Sequence, residues 1–208
     1  MKLGKEALLA LRAEITGNLA PGDELVVAGP VAAQGTAVIA EKKEKELRKY
    51  FSGEFIRDCH QLLKDYGTGM TREENKIWDM AEDAGADALY LMGEGGFLSA
   101  LWKMSEASGT GLKADLRSVP IRQETIEICE RFDLNPYRLL SGGSILIGMK
   151  GGEGFVQELC RMGYMAAIVG QADSGNDRLL YSGENARYLE RPYPDEISKL
   201  QEEESWEY

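Results

Sequence analysis

The fold class of this chain is indicated most clearly by the stretch Leu89-Tyr-Leu-Met-Gly-Glu-Gly-Gly-Phe-Leu-Ser-Ala-Leu-Trp-Lys-Met-Ser-Glu-Ala-Ser108. Its apolar beginning predicts a buried strand over residues 86–92, its glycines a turn at residues 93–96, and its remainder an amphipathic helix over residues 97–107. A glycine turn of this kind exposes the first backbone N–H groups of a helix, which suit a phosphate or a carboxylate. No Asp, His or Thr immediately precedes the glycines. The stretch therefore has the backbone of a binding loop without the side chains of an active site.

Glu94 is the carboxylate inside this turn, and it has two interpretations. It can hold a metal ion that bridges to a phosphate. Alternatively, it can accept a hydrogen bond from backbone at the helix N-terminus, where negative charge is stabilised. The second interpretation is favoured. No Ser or Asp lies in a recognisable nucleophile elbow. We therefore predict no catalytic residue and leave the presence of a metal open.

The rest of the chain alternates short strands and helices. The sequence predicts five more strands: residues 24–29, 112–115, 144–149, 165–170 and 178–181. Amphipathic patterns predict six more helices: residues 5–18, 36–48, 53–65, 71–84, 122–132 and 153–162. A capping box, Thr71-Arg-Glu-Glu74, marks the start of the fourth of these helices.

The end of this succession predicts how the elements are arranged. A loop at residues 173–177 predicts a hairpin between residues 166–171 and 178–181. Short helices that alternate with strands and close with a hairpin predict an α+β layered domain. We expect three apolar strands to share one sheet: residues 86–92, 144–149 and 165–170.

Length and charge limit the class of protein and its partners. The 208 residues are enough for one domain with appendages, and the formal net charge is −11. This acidity argues against a nucleic-acid backbone or an anionic membrane as a main partner. The sequence has no run long enough to span a membrane and no secretory signal, and three scattered cysteines indicate reduced, mostly buried thiols. We expect a cytoplasmic protein with three parts: a helical extension (residues 1–20), a compact domain (residues 21–192) and an acidic tail (residues 193–208).

Two more glycine-rich loops accompany the first, Ser141-Gly-Gly-Ser144 and Lys150-Gly-Gly-Glu-Gly154. Such loops can cradle anions, or they can be tight turns that need small residues. None of the three matches the phosphate-binding P-loop or the dinucleotide fingerprint. The candidate ligand-binding residues are Glu94, Gly95, Gly96, Ser141, Gly142 and Gly143.

The order of these motifs carries a resemblance to a known family. After Gly93-Glu-Gly-Gly-Phe-Leu-Ser-Ala100 come Val119-Pro-Ile-Arg-Gln-Glu-Thr125, Asn135-Pro-Tyr-Arg-Leu-Leu-Ser-Gly-Gly-Ser144 and Ala166-Ala-Ile-Val-Gly170. This succession resembles the C-terminal domain of the aminoimidazole-ribonucleotide (AIR) synthase-related superfamily, most closely its hydrogenase-maturation carbamoyl dehydratase branch. The resemblance implies a layered α/β/α sandwich with a mixed sheet. It also implies an N-terminal half that supplies most ATP and Mg²⁺ ligands, and we expect a partner to provide that half if this chain uses ATP.

The sequence departs from the family pattern at two places. The family loop usually reads His-Asp-x-Thr-Glu-Gly-Gly, whereas the residues before Glu94 are Tyr90, Leu91, Met92 and Gly93. The dehydratase's C-terminal cysteine has no counterpart in Glu-Ser-Trp-Glu-Tyr208. The resemblance therefore implies the family fold more strongly than its ATP-dependent chemistry.

Three functions follow from these observations. The leading interpretation is a stand-alone, catalytically degenerate domain that binds a partner protein or a small phosphorylated ligand. The alternative is one half of a split ATP-dependent enzyme, completed by a separate nucleotide-binding subunit. The third is a structural or assembly protein whose glycine loops are only turns. We also expect an apolar face that is covered by a second copy, by another subunit, or by the helix at residues 5–18.

Overall fold

The computed structural model describes residues 3–204, with side chains up to residue 200. Its α-helices are α1 (Lys5–Ala13), α2 (Ala33–Lys42), α3 (Glu44–Leu47), α4 (Gly53–Tyr66), α5 (Trp78–Asp83), α6 (Gly96–Ser108), α7 (Gln123–Arg131), α8 (Gly152–Arg161) and α9 (Ile197–Glu204). Its strands are β1 (Thr16–Gly17), β2 (Glu24–Ala28), β3 (Ala88–Leu91), β4 (Gly111–Asp115), β5 (Ile145–Met149), β6 (Ala166–Asp173), β7 (Arg178–Ser182) and β8 (Asn185–Tyr188). Within residues 3–204, no helix has the length and apolar character needed to cross a membrane.

The strands form one mixed sheet in the order β1-β3-β5-β2-β6-β4-β7-β8. Neighbouring strands are antiparallel except β4 and β7, which are parallel. β2 lies at the centre, where Val26 pairs with Ile147 on one side and with Ile168 on the other. The three apolar strands expected in one sheet correspond to β3, β5 and β6, so that prediction is confirmed.

Helices cover both faces of the sheet, because side chains alternate between the faces along each strand. Val27 and Leu146 belong to a core that also contains residues of α1, α2, α4, α6 and α7. Their neighbours Val26 and Ile147 belong to a second core, with residues of α5 and α8. The predicted α+β fold, a layered α/β/α sandwich with a mixed sheet, is confirmed.

The hairpin predicted between residues 166–171 and 178–181 is wrong. β4 lies between β6 and β7, antiparallel to the first and parallel to the second. The intervening loop does not close a hairpin, because its Gly175 carbonyl accepts the Gly111 N–H at the start of β4, at 2.6 Å. The hairpin that ends the sheet is formed by β7 and β8 instead.

The helix predicted over residues 71–84 begins only with α5. Thr71 Oγ1 accepts the Glu74 N–H at 3.3 Å, as the capping box predicts, but the turn does not continue as a helix. The buried Asn75 side chain interrupts it, since Asn75 Oδ1 accepts the Ile77 N–H at 3.0 Å. An asparagine bonded to its local backbone in this way competes with the helical hydrogen-bond pattern.

Two other helices differ in their bounds. The helix predicted over residues 5–18 ends at Ala13, because the chain then turns into β1 and satisfies its backbone groups by pairing with β3. The helix predicted over residues 36–48 starts at Ala33 and is divided at Lys43 into α2 and α3. The remaining predicted elements end within three residues of the observed bounds.

The N-terminal segment packs against α6. The side chain of Leu11 is buried in the core on that side of the sheet. Arg12 Nε donates to the Ala107 carbonyl at 2.9 Å, and Lys103 on α6 pairs with Glu14 at 3.0 Å. α1 therefore covers part of the apolar surface of α6.

The C-terminal segment also contacts the domain. Asp195, Glu196 and Leu200, which fall inside the predicted acidic tail, are buried. Residues 205–208 of that tail lie outside the described residues. The domain boundaries at residues 20 and 192 stay predictions.

The thiols are of two kinds. Cys59 and Cys129 are buried, and burial raises the pKa of each thiol to about 12. Cys160 is exposed at the end of α8. Only thiolates are strong nucleophiles, so the two buried thiols are inert at neutral pH.

Candidate functional site

The first two glycine loops lie against each other at one end of the sheet. Residues 93–96 link β3 to α6, and residues 139–144 lead into β5, which pairs with β3. The Ser141 N–H donates to the Gly93 carbonyl oxygen at 3.1 Å. We call these two segments the double-loop site, and all six candidate residues belong to it. The third loop, residues 150–154, lies at the opposite end of β5.

Gly95 and Gly96 allow α6 to begin abruptly beside the second loop. Their φ angles are 76° and 62°, in the left-handed region that glycine adopts without steric cost. A Cβ on Gly96 would lie 2.6 Å from the Leu139 carbonyl oxygen. The two loops therefore pack backbone against backbone, and the Gly95 N–H remains available at the helix end.

The carboxylate of Asp195 occupies this helix end. Its Oδ2 accepts the Gly95 N–H at 2.7 Å. Its Oδ1 accepts the Leu140 N–H at 3.2 Å and the Ile197 N–H at 3.0 Å. Asp195 is buried, with only 4% of the residue exposed. A carboxyl group of the chain itself thus occupies the helix start, where the sequence predicts that an anion could bind.

The environment of Asp195 disfavours its charge in spite of these hydrogen bonds. Burial raises the pKa of the carboxyl group above its ordinary value, and the nearby charge of Glu94 raises it further. The N–H groups of Ile197, Gly95 and Leu140 act in the opposite direction. Desolvation is the largest of these effects, so the charged carboxylate is held at an energetic cost.

Glu94 lies at the rim of the double-loop site. Its side chain is exposed, and the carboxylate that accepts the Gly95 N–H is that of Asp195 rather than Glu94. Within residues 3–204, no three His, Cys, Asp or Glu side chains are grouped so that they could hold a metal ion. Glu94 thus adds negative charge next to an anion position.

Ser141 serves the packing of the second loop. It is fully buried, and its hydroxyl donates to the Leu139 carbonyl at 2.7 Å. The same hydroxyl oxygen accepts the Ala32 N–H at 2.9 Å. Both functions of the hydroxyl are therefore satisfied within the protein.

Gly142 and Gly143 also have partners within the chain. The Gly142 N–H donates to Gln34 Oε1 at 3.0 Å. The Gly143 carbonyl accepts the Thr68 N–H at 2.9 Å. The second loop is thereby fixed to α2 and to the segment that follows α4.

The third glycine loop shows the same arrangement as the first. Gly151 precedes α8 with a φ of 67°, and the Gly152 N–H donates to Glu24 Oε2 at 2.6 Å. Glu24 begins β2 and is 128 residues away in sequence. In each of the three loops a backbone N–H thus meets a side-chain oxygen of this chain, from Asp195, Gln34 or Glu24.

Little space remains beside Gly95. The cleft next to this residue has a volume of about 10 Å³. This is room for about one water molecule. Its lining includes Ser99, Arg138, Arg187 and Tyr193. The segment from residue 187 to residue 193 therefore closes over the start of α6.

Sequence reasoning found the loops but not the groups that fill them. Asp195 lies 100 residues from Gly95. The local signal at Asp195 is that of a cap, since an aspartate two residues before an apolar helix start is typical of an N-terminus. Nothing in that signal links Asp195 to Gly95.

The sequence of this chain is similar to that of a known protein family and of one of its members. A family model described as "AIR synthase related protein, C-terminal domain" matches residues 20–181. The carbamoyl dehydratase HypE of Rhodobacter capsulatus is 24% identical over 131 residues. That match covers 63% of this chain and 34% of the relative.

Solved structures of HypE proteins share the fold. A HypE–HypF complex gives a TM-score of 0.66 at 18% identity, covering 84% of this chain and 54% of the matched chain. HypE of E. coli gives 0.62 at 18% identity, covering 85% and 52%. The chain thus spans about half the length of the solved structures it matches, and β8, the segment after it and α9 lie beyond the residues that the family model matches.

Proposed function

This chain belongs to the AIR synthase related family, whose C-terminal domain it carries, and we propose that it acts as a non-catalytic domain that binds a small phosphorylated ligand at the double-loop site. One observation carries the proposal: the Gly95 and Leu140 N–H groups converge on a single carboxylate. Backbone N–H groups at a helix start bind phosphate and carboxylate oxygens alike. A position that holds a carboxylate can therefore hold a phosphate oxygen.

The side chains around the loop support a non-catalytic role. Metal-assisted phosphoryl transfer needs carboxylates, lysines or metal ligands placed around the nucleotide. The double-loop site offers Glu94 as a carboxylate, while the residues before the glycines are Leu91 and Met92. The Ser141 hydroxyl, in the second loop, is engaged by Leu139 and Ala32.

The purified chain is expected not to hydrolyse ATP above background in the presence of Mg²⁺, because no three His, Cys, Asp or Glu side chains within residues 3–204 are grouped to hold a metal. The measurement is phosphate release over time, with Glu94→Ala as the paired variant and no expected difference between the two. Mg²⁺-dependent turnover that disappears in Glu94→Ala would show that the domain is an enzyme.

Titration of the chain with inorganic pyrophosphate tests the binding proposal directly. The amide signals of Gly95 and Leu140 are expected to shift in an NMR titration, because their N–H groups form the cradle. The amide of Gly85, in an exposed turn after α5, is the internal control. Shifts elsewhere, with Gly95 and Leu140 unchanged at saturating pyrophosphate, would mean that the ligand site lies outside the double-loop site.

A second candidate function is suggested by the length of the relatives. The solved HypE chains are about twice as long as the part that this chain matches. A separate polypeptide that carries a nucleotide-binding half would complete a split ATP-dependent enzyme. A neighbouring reading frame for that half, together with ATP turnover on mixing the two polypeptides, would favour this alternative. Turnover that stays at background in the mixture would favour the binding domain.

A further inference from the structure

The segment between β8 and α9 closes the double-loop site. We call residues 190–196 the strap. Its first five residues are exposed, and its last two, Asp195 and Glu196, are buried carboxylates. The strap lies beyond residue 181, where the match to the family model ends. It therefore lies outside the part of the chain that the family model matches.

Polar contacts fasten the strap to the domain. At its start, Glu190 pairs with Arg138 at 2.7 Å, and that guanidinium also lies 4.5 Å from the centre of the Tyr193 ring. At its end, Glu196 Oε2 accepts the Asn135 N–H at 3.1 Å. Tyr193 itself is 53% exposed. No side chain of the strap belongs to the hydrophobic core, and the flanking core residues Leu189 and Leu200 lie outside it. The strap can therefore move without exposing core side chains.

The central fastening is Asp195, and its chemistry is that of a ligand. Its carboxylate accepts the Gly95 N–H of the first loop and the Leu140 N–H of the second. These are the donors that the proposed function assigns to a phosphate. The carboxylate is poorly stabilised there, since it is desolvated and lies near the negative charge of Glu94. An incoming phosphate can use the same donors and would release Asp195 to water.

We propose that the strap is an autoinhibitory element: Asp195 occupies the anion position of the double-loop site, and a phosphorylated ligand binds only when the strap leaves. This inference rests on the proposed function and concerns the regulation of that same site. The closed strap also explains the small volume of the cleft beside Gly95. Strap opening then exposes Arg138, now paired with Glu190, as a cation beside the bound phosphate.

Isothermal titration with inorganic pyrophosphate compares the wild-type chain with Asp195→Ala and Glu184→Ala. The first variant empties the anion position. The second removes an exposed carboxylate from the β7–β8 turn, outside the strap, and controls for overall charge. If the strap is closed more than nine-tenths of the time, Asp195→Ala binds at least about tenfold more tightly than the wild type. Glu184→Ala is expected to bind like the wild type.

The outcomes separate the two proposals. Equal affinity of the wild type and folded Asp195→Ala, with the Gly95 amide shifting in both, overturns the autoinhibitory strap and leaves the binding function standing. Binding by neither protein overturns both. If Asp195→Ala does not fold, the strap is tested instead by amide hydrogen exchange of the wild-type chain with and without pyrophosphate. Pyrophosphate should then speed exchange across residues 190–197, and unchanged exchange at saturating pyrophosphate contradicts the strap.

Discussion

Replacement of Gly96 by alanine is expected to destabilise the protein by about 3 kcal/mol, one of the largest effects of a single methyl group in this chain. An alanine at a φ of 62° costs about 1–2 kcal/mol. Its Cβ would also lie 2.6 Å from the Leu139 carbonyl oxygen and 2.9 Å from that of Tyr137. Because both contacts are backbone atoms, neither can move without separating the two loops, and overpacking of this kind costs roughly 1–3 kcal/mol.

Gly93→Ala is the matched control in the same loop. No heavy atom lies within 4 Å of a Cβ at Gly93, and its φ is not in the left-handed region. This variant is expected to change the free energy of unfolding by less than about 1 kcal/mol. Urea denaturation followed by circular dichroism measures both variants. Equal stability of the two would show that the loops are not packed as the structure has them.

The fold was predictable from the sequence because its central strands are buried on both faces. The run Ser144-Ile-Leu-Ile-Gly-Met149 has few polar positions, and residues of β5 face both cores of the sandwich. Such a run indicates a covered strand whichever face its side chains take. The α+β class therefore followed from such runs and from the order of the elements, whereas the α/β/α sandwich with a mixed sheet was implied by the family resemblance.

The topology at the sheet edge could not be predicted in the same way. A loop such as Asp173-Ser-Gly-Asn-Asp177 has the residues of a turn, and a turn between two apolar runs usually makes a hairpin. Here β4, which is more than fifty residues earlier, pairs with both strands. Strand insertion depends on long-range pairing, and turn residues carry no information about it.

The candidate site shows the same difference between what local sequence indicates and what depends on long-range contacts. Local sequence pointed to Gly95, because glycines at a strand-to-helix junction expose N–H groups, but not to the second donor, Leu140. It did not identify the acceptors Asp195, Gln34 and Glu24, which come from distant parts of the chain. Each acceptor is an ordinary polar residue in its own surroundings. The difference between an open anion cradle and a filled one is thus a tertiary property.

Deletion of residues 1–18 is expected to destabilise the protein by about 3–5 kcal/mol and to cause self-association. The deletion removes two core side chains, Leu11 and Ile15, and each contributes roughly 1.5–3 kcal/mol by burial. It also exposes the surface of α6 that α1 covers, and contiguous apolar surface of this kind promotes association.

The deletion also leaves polar groups without their partners. Lys103 Nζ donates to Glu14 at 3.0 Å and to the buried Tyr90 hydroxyl at 2.9 Å. Without Glu14, the half-buried ammonium group loses its neutralising charge, which adds to the destabilisation. Size-exclusion chromatography and urea denaturation report the two effects separately.

A pair of point variants on α1 shows whether the effect comes from packing. Leu11 is 7% exposed and Leu9 is 56% exposed, on the same helix. Leu11→Ala is expected to cost about 2 kcal/mol or more, and Leu9→Ala less than about 0.5 kcal/mol. A truncated chain that stays monomeric, soluble and as stable as the full chain would contradict this function of α1. Alanine favours the helix at both positions, so the two variants differ in the packing that they remove. Equal effects of the two leucine variants would therefore show that burial of Leu11 does not stabilise the protein as the structure indicates.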